Sequence, residues 1–215
     1  MDYFIAITIL ILIFIILSQS YNLVLGYTGM VHVGHVAFMA IGAYTSALLT
    51  LNGLPFLFGS LSGIAAAALA GLILGLPTVR FKEDYVVAGT LAMGEIVRIF
   101  ILNERWLTGG STGLPKIIRP EFFGILFVFL VTLATLLFIW RLVHSPFGKV
   151  LESIREDEIA AKALGKNTSL VKLQILVIGA AFAGLSGVLL AHTIQFIDPD
   201  SFNINQMIFV FLIER

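Results

Sequence analysis

A run of 77 residues without Asp, Glu, Lys or Arg, from Tyr3 to Val79, constrains this chain more than any other feature of it. A soluble domain carries about 25% charged residues, whereas this chain of 215 residues carries 12% and is 59% hydrophobic. A membrane-spanning helix needs roughly 20 apolar residues, so the run has room for three crossings and their turns. The sequence therefore predicts an all-α, polytopic membrane protein rather than a water-soluble domain.

Apolar runs separated by polar or glycine-rich stretches predict about six to seven membrane-spanning segments, all within one transmembrane domain over residues 1–215. The last run, Ile204–Ile213, would span only about 15 Å as a helix, roughly half of a hydrocarbon core. We therefore expect a chain that is truncated at its carboxyl end or completed by a partner. The other segments are predicted at about Tyr3–Leu25, Val36–Leu51, Pro55–Leu76, Asp84–Asn103, Phe122–Trp140 and Leu173–Ile197.

The stretch near residues 26–35 is uncharged, but it is too rich in glycine to be a good helix. Irregular backbone at membrane depth is tolerated only against protein or a water-lined cavity. The stretch therefore predicts a broken or re-entrant helix.

Small residues recur at every fourth position in two predicted spans. Such faces let helix backbones approach closely in lipid, so they predict helix–helix contact. The two ladders are Gly59, Gly63, Ala67, Gly71 and Gly75, and Gly179, Ala183, Gly187 and Ala191.

Lysine and arginine are unequally divided between the two predicted sides of the membrane. Eight lie on one side and three on the other, which by the positive-inside rule places the polar segment at about 141–172 in the cytoplasm and the amino terminus outside. The eight are Arg80, Lys82, Arg141, Lys149, Arg155, Lys162, Lys166 and Lys172, and the three are Arg105, Lys116 and Arg119.

Two polar pairs lie within the apolar part of the chain. Glu95 and Arg98 are three residues apart on one helical face, which fits either a self-neutralising pair or a proton or ion relay. His32 and His35 have no nearby carboxylate or third ligand, so helix packing is favoured over a metal site. The chain also has no cysteine, which excludes disulfides and thiolate sites.

The cytoplasmic segment has the signals of two short helices. Ser145 and Pro146 form a helix start, Asp157 can cap a second helix, and Gly165 is a helix stop. An apolar stripe at helical spacing then fits either docking of a partner surface or packing on the chain's own bundle. The stripe comprises Phe147, Val150, Leu151 and Ile154.

The sequence predicts neither a nucleotide-binding site nor a nucleic-acid-binding surface. A phosphate-binding loop reads G-x-x-x-x-G-K-[ST], but Gly148-Lys149 is followed by Val150 and Gly165-Lys166 by Asn167. The 13 basic and 13 acidic residues balance to zero, so no basic field attracts nucleic acid. No catalytic constellation stands out, and we expect no enzyme.

Several sequence motifs resemble the permease subunits of branched-chain amino acid ABC importers, nearest the LivM subtype. The resemblance covers most of residues 21–200. The matching motifs are YNLVLGYTG (21–29), GHVAF (34–38), GAY (42–44), DY (84–85), GEIVR (94–98), LTGG (107–110), SPFG (145–148) and RE (155–156) through AAKALG (160–165).

The resemblance implies a plasma-membrane (inner-membrane) permease that binds no cofactor itself and contacts membrane lipid. It further implies a second permease subunit, two cytoplasmic ATPases that bind the ATP, and an extracytoplasmic substrate-binding protein. The implied residues for coupling to the ATPases are Arg155, Glu156, Glu158, Ala160, Ala161 and Gly165. Those implied for the translocation path are Tyr27, Thr28, His35, Phe38, Glu95 and Arg98.

One position departs from the general coupling-loop pattern, in which Glu-Ala-Ala precedes a glycine by a fixed interval. Here Ile159 occupies the glutamate position and Glu158 lies one place earlier. The cargo also stays open, because leucine-like amino acids, urea and amides all fit related permeases. The alternative to an importer is an ion- or proton-coupled secondary transporter that uses Glu95 and Arg98.

Overall fold

A computed structural model describes residues 3–32, 34–78 and 83–202, with the backbone alone described at residues 83 and 84. Two residues of β1 pair antiparallel with two of β2, and 3₁₀ turns lie at Gly110–Thr112 and Pro199–Phe202. The α-helices and strands are α1 Tyr3–Thr28, α2 His35–Leu51, α3 Phe56–Thr78, α4 Glu83–Asn103, α5 Arg105–Thr108, β1 Leu114–Pro115, α6 Ile125–Val143, α7 Pro146–Glu156, α8 Glu158–Ala163, α9 Thr168–Ile194 and β2 Phe196–Ile197.

The prediction of a polytopic helical membrane protein is confirmed. Five of the described helices are long and apolar enough to cross a membrane, namely α1, α3, α4, α6 and α9, and α2 is a shorter apolar helix of 17 residues. Together they match six of the predicted segments. The seventh, Ile204–Ile213, lies outside the described residues.

The small-residue ladders form the contact between α2, α3 and α9 at the centre of the bundle. A β-carbon added at Gly63 would lie 2.7 Å from the carbonyl oxygen of Gly42, and one added at Gly71 would lie 2.6 Å from Ala180. Added at Gly75, it would lie 2.7 Å from Leu176. Helix backbones are therefore in close contact along this face. Gly59, Gly179 and Gly187 are likewise closed in by neighbouring helices.

The predicted helix break lies between α1 and α2, and it returns into the bundle. Gly29 has a φ of 70°, a left-handed conformation that favours glycine. The first residue of α2, His35, is hydrogen-bonded to Ser20, which precedes the end of α1 by eight residues, or about 12 Å of helix. The amino terminus of α2 therefore lies deep in the bundle rather than at its surface.

The two ends of the bundle carry different structures. The β1–β2 pair joins the segment after α5 to the segment after α9 at one end. Helices α7 and α8 lie at the other end, where α7 packs beside the last turns of α1 and α6. The sequence signals at α8 are confirmed, because the Asp157 carboxylate accepts from the amides of Ile159 and Ala160.

Ser145 occupies the N-cap position of α7 with an extended backbone, as the sequence predicts. No side chain caps α7, and the Ser145 hydroxyl instead donates to the carbonyl of Leu142 in the last turn of α6. The start of α7 therefore depends on Pro146, whose fixed φ suits the first helical position.

Candidate coupling loop and internal polar residues

The apolar stripe of α7 is buried by the chain itself, so the alternative in which it docks a partner is wrong. Leu151 is fully buried and Ile154 is 3% exposed. Leu151 packs against Leu23 of α1, Ile139 of α6 and Ile175 of α9, and the partly buried Phe147 packs against the same cluster. Burial of these side chains attaches α7 to the membrane helices.

The outward-facing apolar side chains of this loop lie instead on and just after α8. Ile159 is 81% exposed and Leu164 is 79% exposed, and the small Ala160 beside them is exposed as well. Ala161, which we expected at a partner contact, is 2% exposed and packs inside the loop. Two large apolar side chains at a polar end of a membrane protein form an unpartnered surface.

Glu158 fixes α8 to the beginning of α9. One carboxylate oxygen lies 3.0 Å from Lys162 Nζ and accepts from the Thr168 hydroxyl at 3.0 Å, while the other accepts from Lys172 Nζ at 2.6 Å. Burial alone would raise the pKa of Glu158, but these lysines and the hydroxyl outweigh it and hold the pKa at about 2. Glu158, which departs from the general coupling-loop pattern, therefore clamps α8 to the start of α9 through Lys172 and Thr168.

Glu158→Ala should release α8 from α9, because it strands Lys172, whose side chain is only 13% exposed. We expect the variant to insert normally but to be cleaved faster by protease within residues 157–168. Because the folded pKa lies below the ordinary Glu value of 4.5, the clamp stabilises the loop fully above pH 4.5 and is lost as the pH falls toward 2. Limited proteolysis of the loop against pH measures this, and Glu152→Ala, on an exposed side of α7, is the control. Equal protease resistance in both variants would contradict the clamp.

The other residues that the resemblance implies for coupling lie on the same loop, next to the helix break. A β-carbon added at Gly29 would lie 3.8 Å from Arg155 Cγ, so α7 borders the start of the break. Glu156 is exposed at the end of α7. Gly165 has a φ of 78° and ends the loop. The loop and the re-entrant segment are therefore in direct contact.

Four of the expected path residues lie on α1 and α2, and the other two lie on α4. Tyr27 and Thr28 end α1, and the Thr28 hydroxyl donates to Val24 within that helix. His35 and Phe38 begin α2, are fully buried, and have ring centroids 5.8 Å apart. Tyr27 packs beside Leu151 of α7, whereas Thr28, His35 and Phe38 are buried within the bundle.

Glu95 and Arg98 pair on α4, but a residue distant in sequence is the nearer partner of Arg98. The guanidinium lies 3.5 Å from Glu95 and 2.7 Å from Asp200 in the turn after β2. Arg98 therefore connects α4 to that turn. Sequence reasoning missed Asp200, because no local pattern joins residues 102 positions apart.

Comparison with known proteins gives one family. The model of the branched-chain amino acid transport system permease component matches residues 3–214. The chain is 38% identical to the high-affinity branched-chain amino acid transport permease LivM of Salmonella typhimurium and to that of Escherichia coli, over 94% of this chain and 55% of each relative. It is 27% identical to a probable LivM of Methanocaldococcus jannaschii, over 93% of this chain and 70% of that relative.

The chain spans about half the length of the first two of these relatives. No solved structure matches the chain.

Proposed function

The chain belongs to the family of branched-chain amino acid transport permease components, and we propose that it forms part of the membrane path of an ATP-binding-cassette importer. The cargo is a branched-chain amino acid or a similar small polar solute. The chain binds no nucleotide itself. It assembles with a second permease subunit, two cytoplasmic ATPases and an extracytoplasmic substrate-binding protein.

The observation that carries this proposal is the outward-facing apolar pair of Ile159 and Leu164 on a loop clamped by Glu158. These two exposed apolar side chains can dock in an apolar groove of a partner subunit. A displacement of α8 would then move α7, which borders Gly29, and through Gly29 the re-entrant segment and α2. ATP-driven rocking of the bundle would then open the path to each side in turn.

The ion-coupled alternative is not favoured. A relay through Glu95 and Arg98 would need charges inside the bundle, but the nearest carboxylate to Arg98 is Asp200, whose side chain is 71% exposed. The match to the permease family over residues 3–214 also supports the importer.

ATP should therefore drive uptake by the assembled complex. In proteoliposomes that contain the permeases and the ATPases, with loaded binding protein outside, uptake of L-leucine should require internal ATP and should persist after an ionophore collapses the ion gradients. Uptake that requires an ion gradient and does not depend on ATP would contradict the proposed importer and favour the ion-coupled transporter.

The sidedness that we propose places α7 and α8 in the cytoplasm and the amino terminus outside. This rests on the lysines and arginines that cluster at that end. Because the chain lacks cysteine, Lys149→Cys and Lys166→Cys should react with an impermeant maleimide only in inverted vesicles. Trp106→Cys, whose parent side chain is 92% exposed at the opposite end, should react only in intact cells. The reverse labelling would invert the orientation.

A further inference from the structure

Two histidines lie together deep in the bundle at the junction of the break and α2. His35 is fully buried and His32 is 2% exposed. The His32 ring stacks on Phe38, with centroids 5.4 Å apart and planes 26° apart, so it lies over the first turn of α2. The His35 ring contacts Tyr21 of α1 at 5.4 Å. Neither histidine has an assigned chemical role in the proposed transport cycle.

The hydrogen bonds around His35 determine which ring nitrogen carries its proton. The Ser20 hydroxyl donates its only hydrogen to the Leu17 carbonyl at 2.7 Å. His35 Nε2, 2.9 Å from the same oxygen, must therefore be the donor in their contact. In the neutral ring, Nδ1 then bears a lone pair, and it has no hydrogen-bond partner among the described residues.

His32 is still less satisfied. Neither of its ring nitrogens is hydrogen-bonded to another residue within the described part of the chain. A neutral imidazole offers one N–H donor and one acceptor, so the two histidines together present one donor and two acceptors. Buried polar side chains nearly always find partners.

A third buried histidine shows how such a ring is satisfied when its role is only to pack helices. His192 Nδ1 donates to the Ile118 carbonyl at 2.6 Å. Its Nε2 lies 2.9 Å from the Ser46 hydroxyl. Both nitrogens are occupied, and the ring joins α9 to α2 and the 117–118 segment. The unsatisfied nitrogens of His32 and His35 are therefore not a general property of buried histidines in this chain.

The start of α2 adds positive electrostatic potential at the same place. Gly34 occupies the cap position, and no side chain caps the helix. The first amides of a helix lack partners within it, and the aligned peptide dipoles make that end attractive to anions. Half-helices that begin inside a membrane use this end to hold the carboxylate of a substrate.

We propose that the start of α2, with His32 and His35, is an internal binding site for the charged head group of an α-amino acid. The cargo carboxylate accepts from the first amides of α2 and from the N–H of His32, and its ammonium group donates to the lone pair of His35 Nδ1. The aliphatic side chain needs no polar partner. This inference rests on the proposed function and names the part of the cargo that the permease itself recognises.

Hydrogen–deuterium exchange on the wild-type complex tests the site without any substitution. In detergent, with the ATPases bound and binding protein absent, L-leucine should slow exchange over residues 29–38. L-Leucinamide, which lacks the carboxylate, should not. Unchanged exchange with leucine, or equal protection by the amide, would overturn the site even where ATP-driven leucine uptake is intact. Absence of ATP-driven uptake would overturn the proposed function together with it.

A matched set of variants provides the second test. His32→Phe keeps the stack on Phe38 but removes both polar atoms, so leucine uptake should fall about tenfold or more, with thermal stability and ATPase binding unchanged. His32→Gln, which keeps a donor and an acceptor, should recover part of the uptake. His144→Phe, at the exposed end of α6, should have no effect. Full leucine uptake by His32→Phe would show that the cargo does not bind the ring nitrogens of His32 and would overturn the proposal. If this variant fails to fold, the hydrogen–deuterium exchange result decides.

Discussion

Gly187→Ala should strongly disturb the packing of α9 against α2. Its new β-carbon would overlap the carbonyl oxygen of Met39 and press on the Ala43 amide. Backbone cannot give way as a flexible side chain can, because α2 and α9 are each held along their length by further close contacts. Overpacking of this kind typically costs about 1–3 kcal/mol and sometimes more. We expect a lower yield of folded protein and earlier thermal unfolding in detergent.

Gly89→Ala is the matched control. It lies within α4, and a β-carbon there would meet nothing within 4 Å. Alanine in a helix interior is favoured over glycine by about 0.5–1 kcal/mol, so this variant should be as stable as the parent or slightly more so. If both variants unfold at the temperature of the parent protein, α2 and α9 do not pack as closely as the structure has them.

Ile159→Glu combined with Leu164→Glu should have the largest effect on function. The two side chains are about four-fifths exposed, so the substitutions remove no internal packing and the protein should insert and fold normally. They do place two carboxylates in the apolar contact that we assign to the ATPase, where unpaired charge is costly. We expect the ATPase subunits to be lost on purification in mild detergent, together with substrate-stimulated ATP hydrolysis.

The control for this variant carries the same chemical change at the other end of the bundle. Ile118 is 55% exposed and lies beside β1. Ile118→Glu should keep the ATPases bound. Loss of the ATPases from both variants would indicate a general defect of folding rather than a docking surface on α8.

Local signals predicted this structure well because they depend on only a few neighbouring residues. Asp157 caps α8 through two amides, and Gly165 adopts the positive φ that a helix stop requires. The glycine ladder of α3 was also readable, since its fourfold spacing places every member on one helix face. Each of these features needs no knowledge of the remaining chain.

Features that depend on residues distant in sequence could not be predicted from local sequence patterns. The stripe of α7 has the same pattern whether a partner or the bundle covers it, and only the positions of Leu23 and Ile175 show that the bundle does. The Arg98–Asp200 pair joins α4 to a turn that follows α9. Likewise, the bond from His35 to Ser20 depends on how far the break returns into the bundle.

Site-directed cross-linking at α8 tests the central claim most directly, and the cysteine-free sequence allows it without background substitutions. Ile159→Cys or Leu164→Cys is first alkylated with benzophenone maleimide in membranes that contain the assembled complex. On illumination the benzophenone, which inserts into nearby C–H bonds, should join this chain to an ATPase subunit. Lys149→Cys, exposed near the start of α7, should join it weakly or not at all. Cross-linking from Lys149→Cys with none from Ile159→Cys or Leu164→Cys would contradict the assignment of α8 and Leu164 as the docking surface.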